Sequence, residues 1–415
     1  MTIRTTTLDN GLRVVTERMP DVRSVAAGFW VGTGSRDEPA EESGASHFLE
    51  HLLFKGTQDR GAREISEAVD AVGGDMDAFT AKEYTAFYVR VLEEDAALGL
   101  DLLSDILWRP ALRPGDVEVE RQVILEEILQ HADEPADLVH EVWSSATFPD
   151  HPLGRETLGD EETVSALDRD RIHEFWAEQY RPANVVFAAA GRLDHDRMVD
   201  AVTVGVGAME GGAAPRRAAP VRPSERVAVV EQDTEQAHLV VGVRALDRDH
   251  ADRYTLAVLD HALGGGLSSR LWQSVREERG LAYSIYSFCN GYQGTGSLGV
   301  YAGTGPEHLG EVLDLVIAAF EDLAAGGITE RELEVAQGHL VGEMALSLED
   351  SGARMSRIAR SLLVHGCVVP IVEYEASVRA VTLEDVRRVA AEVLSGPRSV
   401  AVVGPVTESA VAGAA

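Results

Sequence analysis

The sequence predicts an α+β protein of two homologous domains, each a mostly antiparallel sheet packed with helices. Three observations carry this expectation. At 415 residues the chain exceeds the length at which a single core usually stops growing. A stretch from Gly211 to Pro223, GGAAPRRAAPVRP, has no apolar periodicity and reads as an interdomain linker. The two sides of it resemble each other in running strand, strand and helix, and each closes on an apolar strand behind a charged helix. The expected boundaries are a first domain over 1–210, a linker over 211–224 and a second domain over 225–415.

In the first half, Leu12 to Val15 and Val25 to Val31 are apolar and β-branched enough to form strands. A short helix around His47 follows them, and Ala62 to Val72 is helical by pattern until Gly73-Gly74 stops it. Asp75 to Thr80 and Tyr84 to Val91 then read as strands from their aromatic and β-branched content. Glu93 to Leu107 reads as a helix that Pro110 terminates, and Pro114 opens another that runs to about His131. Asn184 to Gly191 is the closing strand. In the second half the strands are expected at Arg226 to Val230 and His238 to Val243, with a helix around Ala257 to His261 and a last strand at Ser399 to Gly404. Gly264-Gly265-Gly266 is not followed by Gly-Lys-Ser/Thr, so it reads as a turn between elements rather than a phosphate loop.

The chemistry is concentrated in His47-Phe48-Leu49-Glu50-His51. On a helix, positions i, i+3 and i+4 share one face, so two imidazoles and a carboxylate converge there. Zinc takes imidazole nitrogens, and hydrolysis needs a neighbouring carboxylate as proton acceptor, so His47 and His51 are candidate ligands and Glu50 the candidate base. The order H-x-x-E-H is the inverse of the commoner H-E-x-x-H. Phe48, Leu49, Leu52, Leu53 and Phe54 make the rest of the helix apolar, so its polar stripe is buried and wants partners. The corresponding segment Ala257-Val258-Leu259-Asp260-His261 begins 210 positions after His47 and carries Ala and Asp where the first has His and Glu, so it cannot bind a metal in the same way.

The helix from Pro114 offers Glu118, Glu120, Glu126 and Glu127 as a third ligand. Glu120 and Glu127 stand two turns apart on one face, Glu126 points about 100° away, and Val123, Ile124 and Ile128 are expected to bury that same side. Glu127 is therefore the expected third ligand, and Glu120 the carboxylate that holds a ligating imidazole in orientation.

A net charge of −32 argues against nucleic acid or an anionic membrane as partner. It reads first as a solvated surface; any part lining a cavity would favour basic substrates. Two cysteines, Cys289 and Cys367, no apolar stretch of signal-peptide length near the start, and no run of about 18 apolar residues lead to the expectation of a soluble, cytoplasmic protein.

The set His47 to Thr57, HFLEHLLFKGT, with Glu120 to Glu127, ERQVILEE, resembles the pitrilysin or insulinase family of zinc proteases, closest to the short-chain branch that includes mitochondrial processing peptidase β subunits and bacterial relatives. Glu127 stands 76 positions after His51, which matches the family's ligand spacing, and the likeness covers nearly the whole chain. The resemblance implies a zinc-dependent endopeptidase whose first domain is catalytic and whose second, zinc-free domain holds substrate. It implies that Asp77, Ala78 and Phe79 belong to an edge strand on which substrate pairs, with Asp77 where the family usually has Asn. It also implies that Arg276 and Tyr283 are the family's Arg/Tyr pair, the Arg holding substrate backbone and the Tyr stabilising a developing oxyanion. His151 to Arg155, HPLGR, resembles another family segment. Unfolded peptides or presequence-like segments are the implied substrates, hydrolysed in a chamber enclosed by a homodimer. The rival reading is a non-catalytic scaffold or partner subunit; this chain keeps both the zinc set and the Arg/Tyr pair, which argues against it.

Overall fold

The computed structural model describes residues 2–215, 217–220, 226–407 and 411, so positions 216 and 221–224 of the expected linker lie outside the described residues. Its strands are β1 (Thr2–Thr7), β2 (Arg13–Arg18), β3 (Ser24–Val31), β4 (Asp75–Thr80), β5 (Thr85–Leu92), β6 (Val185–Gly191), β7 (Arg226–Glu231), β8 (Ala237–Ala245), β9 (Ala282–Tyr292), β10 (Thr295–Thr304) and β11 (Arg398–Gly404). They form two sheets, ordered β1-β2-β6-β3-β5-β4 and β7-β11-β8-β10-β9. The expected fold class is found: in each sheet every pairing is antiparallel but one, β2 with β6 and β7 with β11. Striking β1 from the first order leaves two sheets with the same sequence of pairings, so the halves repeat one topology. Strand β1 was not foreseen, because its run of threonines carries no apolar alternation.

The chain forms two compact units, and they do not follow a single cut. The first comprises residues 1–128, 156–217 and 345–369; the second comprises 129–155, 218–344 and 370–415. In the first unit, helices from the same half bury Phe48, Leu103, Ile106 and Phe175 against Phe29, Phe87 and Phe187 on one face of the sheet. The other face is covered by helix Ser351–His365, whose Met355, Ile358, Ala359 and Leu362 pack on Val15, Trp30, Val186 and Ala188. The second unit mirrors this arrangement. Helices Leu309–Gly326 and Leu383–Leu394 cover one face, and helix Pro135–Thr147 brings Val139 and Trp143 onto Val240, Ala401 and Val403 of the other. Each unit thus receives its second layer from the opposite half of the sequence, and the interior strands β6 and β10 are buried at every position. Gly242 permits the approach of Trp143, since a Cβ there would lie 2.4 Å from the indole.

Arg217, in the expected linker, is docked: its guanidinium donates to Asp37 at 2.7 and 2.8 Å and to the backbone carbonyl of Glu83 at 2.7 Å. A Pro/Gly/Ala composition signals the lack of a regular element, but an arginine with a buried carboxylate partner holds its own position in such a stretch.

Candidate metal centre and its surroundings

Helix Ala45–Leu53 begins at Gly44, whose φ of 92° is a conformation that side chains disfavour. The carboxylate of buried Glu38 accepts from the N–H groups of Gly44 and Ser46 at 2.9 and 2.7 Å, satisfying donors that a helix start leaves open. Phe48, Leu49, Leu52 and Leu53 are buried in the first core, which turns His47, Glu50 and His51 to the other side. Helix Pro114–Ala132 buries Val117, Glu120, Arg121 and Ile124. Val123, expected on that buried side, is 45% exposed instead, because the buried strip runs through Val117, Glu120, Arg121 and Ile124 and leaves it to one side.

These two helices bring the expected residues together. His47 Nε2 and His51 Nε2 each lie 3.7 Å from Glu127 Oε2, and one ligand atom from each of the three fits within 4.8 Å of the others. Glu126 is exposed. His51 Nδ1 faces Glu120 Oε2 at 3.1 Å, and Lys55 Nζ pairs with Glu120 Oε1 at 2.6 Å. Lys55 was missed from the sequence, although it stands one turn beyond His51 on the same face.

Burial pushes the His47 imidazole down to about 3, helped by the neighbouring His51, so His47 is neutral with a lone pair to give at neutral pH. The Glu50 carboxyl is pushed up, first by burial and then by the charges of Asp77 and Glu127, while Thr80 and His51 pull it back. Thr80 Oγ1 donates to Glu50 Oε2 at 2.5 Å. That contact too escaped the sequence reading, since it depends on how β4 lies against the helix.

The donor set fits zinc. Two imidazole nitrogens and a carboxylate oxygen converge closely enough to share one cation among them. Metal–ligand bonds of about 2.0–2.1 Å at tetrahedral angles set ligand atoms about 3.3–3.4 Å apart, near the 3.7 Å found for both His–Glu pairs.

Asp77, Ala78 and Phe79 lie on the border strand β4 of the same unit. Asp77 and Phe79 are exposed, with the Phe79 ring 5.8 Å from Tyr84 and 6.3 Å from Tyr88; the Ala78 methyl packs toward the core. Arg276 and Tyr283 belong to the second unit. Arg276 sits in a π-helical turn, Trp272–Glu277, with its guanidinium 4.0 Å from the Trp272 ring and 5.1 Å from that of Tyr283, which is 80% exposed. Such turns recur at functional sites. His261, the one imidazole kept in the second copy of the motif, stacks on His339 with ring centres 4.2 Å apart and is pushed down to about 4 by burial and that neighbour.

Two topologically matched units, one presenting a His/His/Glu centre with a carboxylate beside it, define a two-domain metallopeptidase-like class. Residues 13–161 match the profile of insulinase, peptidase family M16, and residues 166–340 match that of the M16 inactive domain. An uncharacterized zinc protease of Streptomyces coelicolor is 46% identical, over 98% of this chain and 90% of that protein. The uncharacterized zinc protease YmxG of Bacillus subtilis is 39% identical, over 97% of this chain and 98% of its own. The crystal structure of a protease from Helicobacter pylori superposes with a TM-score of 0.91 at 23% identity, covering 97% of this chain and 99% of that one, a likeness of fold. The chain belongs to the M16 peptidase family, in its short form, and its curated relatives are named as zinc proteases. Among the described residues, no helix is long and apolar enough to cross a membrane.

Proposed function

We propose that this chain is a zinc-dependent endopeptidase that cuts unfolded peptides or presequence-like segments, working in the cytoplasm as a homodimer that encloses its substrate. The observation that carries this reading is the convergence of His47, His51 and Glu127 with Glu50 alongside. His47, His51 and Glu127 hold the zinc, and Glu120, braced by Lys55, fixes the His51 ring. Bound zinc supplies a Lewis acid for a peptide carbonyl and lowers the pKa of water. Glu50 does the proton work. Its carboxylate takes a proton from the attacking water and passes it to the leaving amine, and a carboxyl raised by burial suits both directions of transfer at neutral pH. Substrate lies as an added strand on β4, and Arg276 and Tyr283 hold its backbone and the developing oxyanion. The cytoplasmic placement is supported by two free cysteines.

The test is a peptide library digested with and without chelator by the parent, Glu50→Gln and Glu127→Gln chains, with zinc content measured beside each. Glu50→Gln should keep its zinc and lose at least about a thousandfold in rate, the scale of an essential base. Glu127→Gln should lose zinc itself, and Glu126→Gln should keep it. Chelator-resistant cleavage, or zinc lost from Glu126→Gln and kept by Glu127→Gln, would overturn the assignment.

A further inference from the structure

Strand β4 borders its sheet and is paired on one side, by β5. Which of its backbone groups face outward follows from the ladder. Ala81 N–H donates to the Tyr84 carbonyl at 2.9 Å, one step beyond the registered pair Thr80 and Thr85. Antiparallel pairs alternate between bonded and non-bonded. Phe79, Asp77 and Asp75 therefore direct their N–H and C=O groups at β5, while Thr80, Ala78 and Met76 direct theirs at the open border.

The outward N–H of Ala78 is already taken, because Asp77 Oδ1 accepts it at 2.8 Å. The other carboxylate oxygen of Asp77 accepts from the Tyr88 hydroxyl across the ladder at 3.3 Å. A border strand ordinarily offers a row of alternating donors and acceptors. Here its midpoint offers acceptors only, since the outward N–H is spent and both Asp77 oxygens are engaged as acceptors. The position matters because Thr80, three residues further along the strand, bonds to Glu50.

We infer that Asp77 is a specificity-determining residue, which selects peptides carrying a lysine or arginine at the residue that pairs with the Asp77–Ala78 segment. The inference rests on the endopeptidase reading for its location. A peptide carbonyl arriving at Ala78 finds no donor and a negative oxygen in front of it, and it must displace Asp77 to bind. A cationic side chain gains a charged acceptor and draws the carboxylate off Ala78, which frees the N–H for the peptide backbone. Replacing the carboxylate with an amide keeps an acceptor for Ala78 and adds a donor toward the peptide, which removes the demand for a cation.

The experiment walks a single lysine through an otherwise neutral ten-residue peptide, comparing the zinc-loaded parent with Asp77→Asn, an exposed and isosteric change. Peptide binding is also measured in the Glu50→Gln background. In the parent, lysine at one or two adjacent positions should lower KM about five- to tenfold, the scale of a partly screened ion pair. In Asp77→Asn that advantage should fall to within about twofold, chiefly because neutral peptides bind better. A gain spread evenly over all positions and removed by salt would come from the overall charge of −32 and would overturn the inference. An identical position profile in parent and Asp77→Asn would also overturn it. If the zinc-loaded parent cuts nothing, the endopeptidase reading fails; the position profile of binding in the Glu50→Gln chains, with and without Asp77→Asn, still decides the role of Asp77.

Discussion

Replacing Glu120 by Gln should weaken zinc binding although Glu120 touches no metal in this scheme. The residue is 2% exposed, and its two oxygens have separate duties: one accepts from His51 Nδ1–H at 3.1 Å, the other pairs with Lys55 at 2.6 Å. Glutamine has the same shape with one acceptor and one donor end. With its oxygen toward His51, its NH2 faces the Lys55 ammonium, donor against donor in a buried site. With its oxygen toward Lys55, its NH2 points at His51 Nδ1, which must become an acceptor; the ring proton then moves to Nε2, the atom aimed at Glu127 and needed for the metal. Either arrangement costs ligand orientation or ligand tautomer. Losses of this kind raise a zinc dissociation constant about 10- to 100-fold, about 1.4–2.7 kcal/mol. Competition against a chromophoric chelator measures it, with the melting of the metal-free chain as a control for folding. A dissociation constant within about twofold of the parent's, in a folded Glu120→Gln chain, would refute the reasoning.

Thr80→Val removes the donor that favours the ionised form of Glu50. Activity requires that carboxylate, so it is present above the Glu50 pKa and falls as pH falls through it; the acidic limb of kcat/KM should move to higher pH in Thr80→Val, and an unmoved or lowered limb would count against Glu50 as the base. Mixing Glu50→Gln with Tyr283→Phe chains under subunit exchange tests whether one chain's zinc site is completed by the other's Arg276 and Tyr283. A mixed dimer then holds one site with both defects and one with neither, so activity should return on mixing, and its absence with exchange shown would point to completion within one chain or to a monomer.

Much of the site was legible in the sequence because it is local. The offsets of His47, Glu50 and His51 fix their common face through helix geometry alone, and the flanking Phe48, Leu49, Leu52 and Leu53 fix which face is buried. The repeat of strands and helices foretold two matched sheets. Among the glutamates of the following helix, periodicity put Glu120 and Glu127 on one face and Glu126 off it, and the spacing of the chosen Glu127 from His51 matched that of the family it resembles. Which of the two meets the imidazole Nε2 atoms, and which meets Nδ1, depends on how two helices cross, a property that no local pattern encodes.

The exchange of helices Pro135–Thr147 and Ser351–His365 was illegible for a related reason. An amphipathic pattern declares that a face is buried but not what buries it, and both sheets offered an uncovered apolar face to any such helix. The docking of Arg217 on Asp37 and the capture of the Ala78 N–H by Asp77 likewise turn on register and approach rather than on composition. The sequence by itself determined the helix face that His47, Glu50 and His51 share, the repeated topology and the chemistry of the candidate ligands, because these follow from spacing along one chain. The tertiary structure alone decided which carboxylate serves which imidazole, what braces Glu50, and where each covering helix comes from, because those are contacts between segments far apart in the chain whose geometry only packing can set.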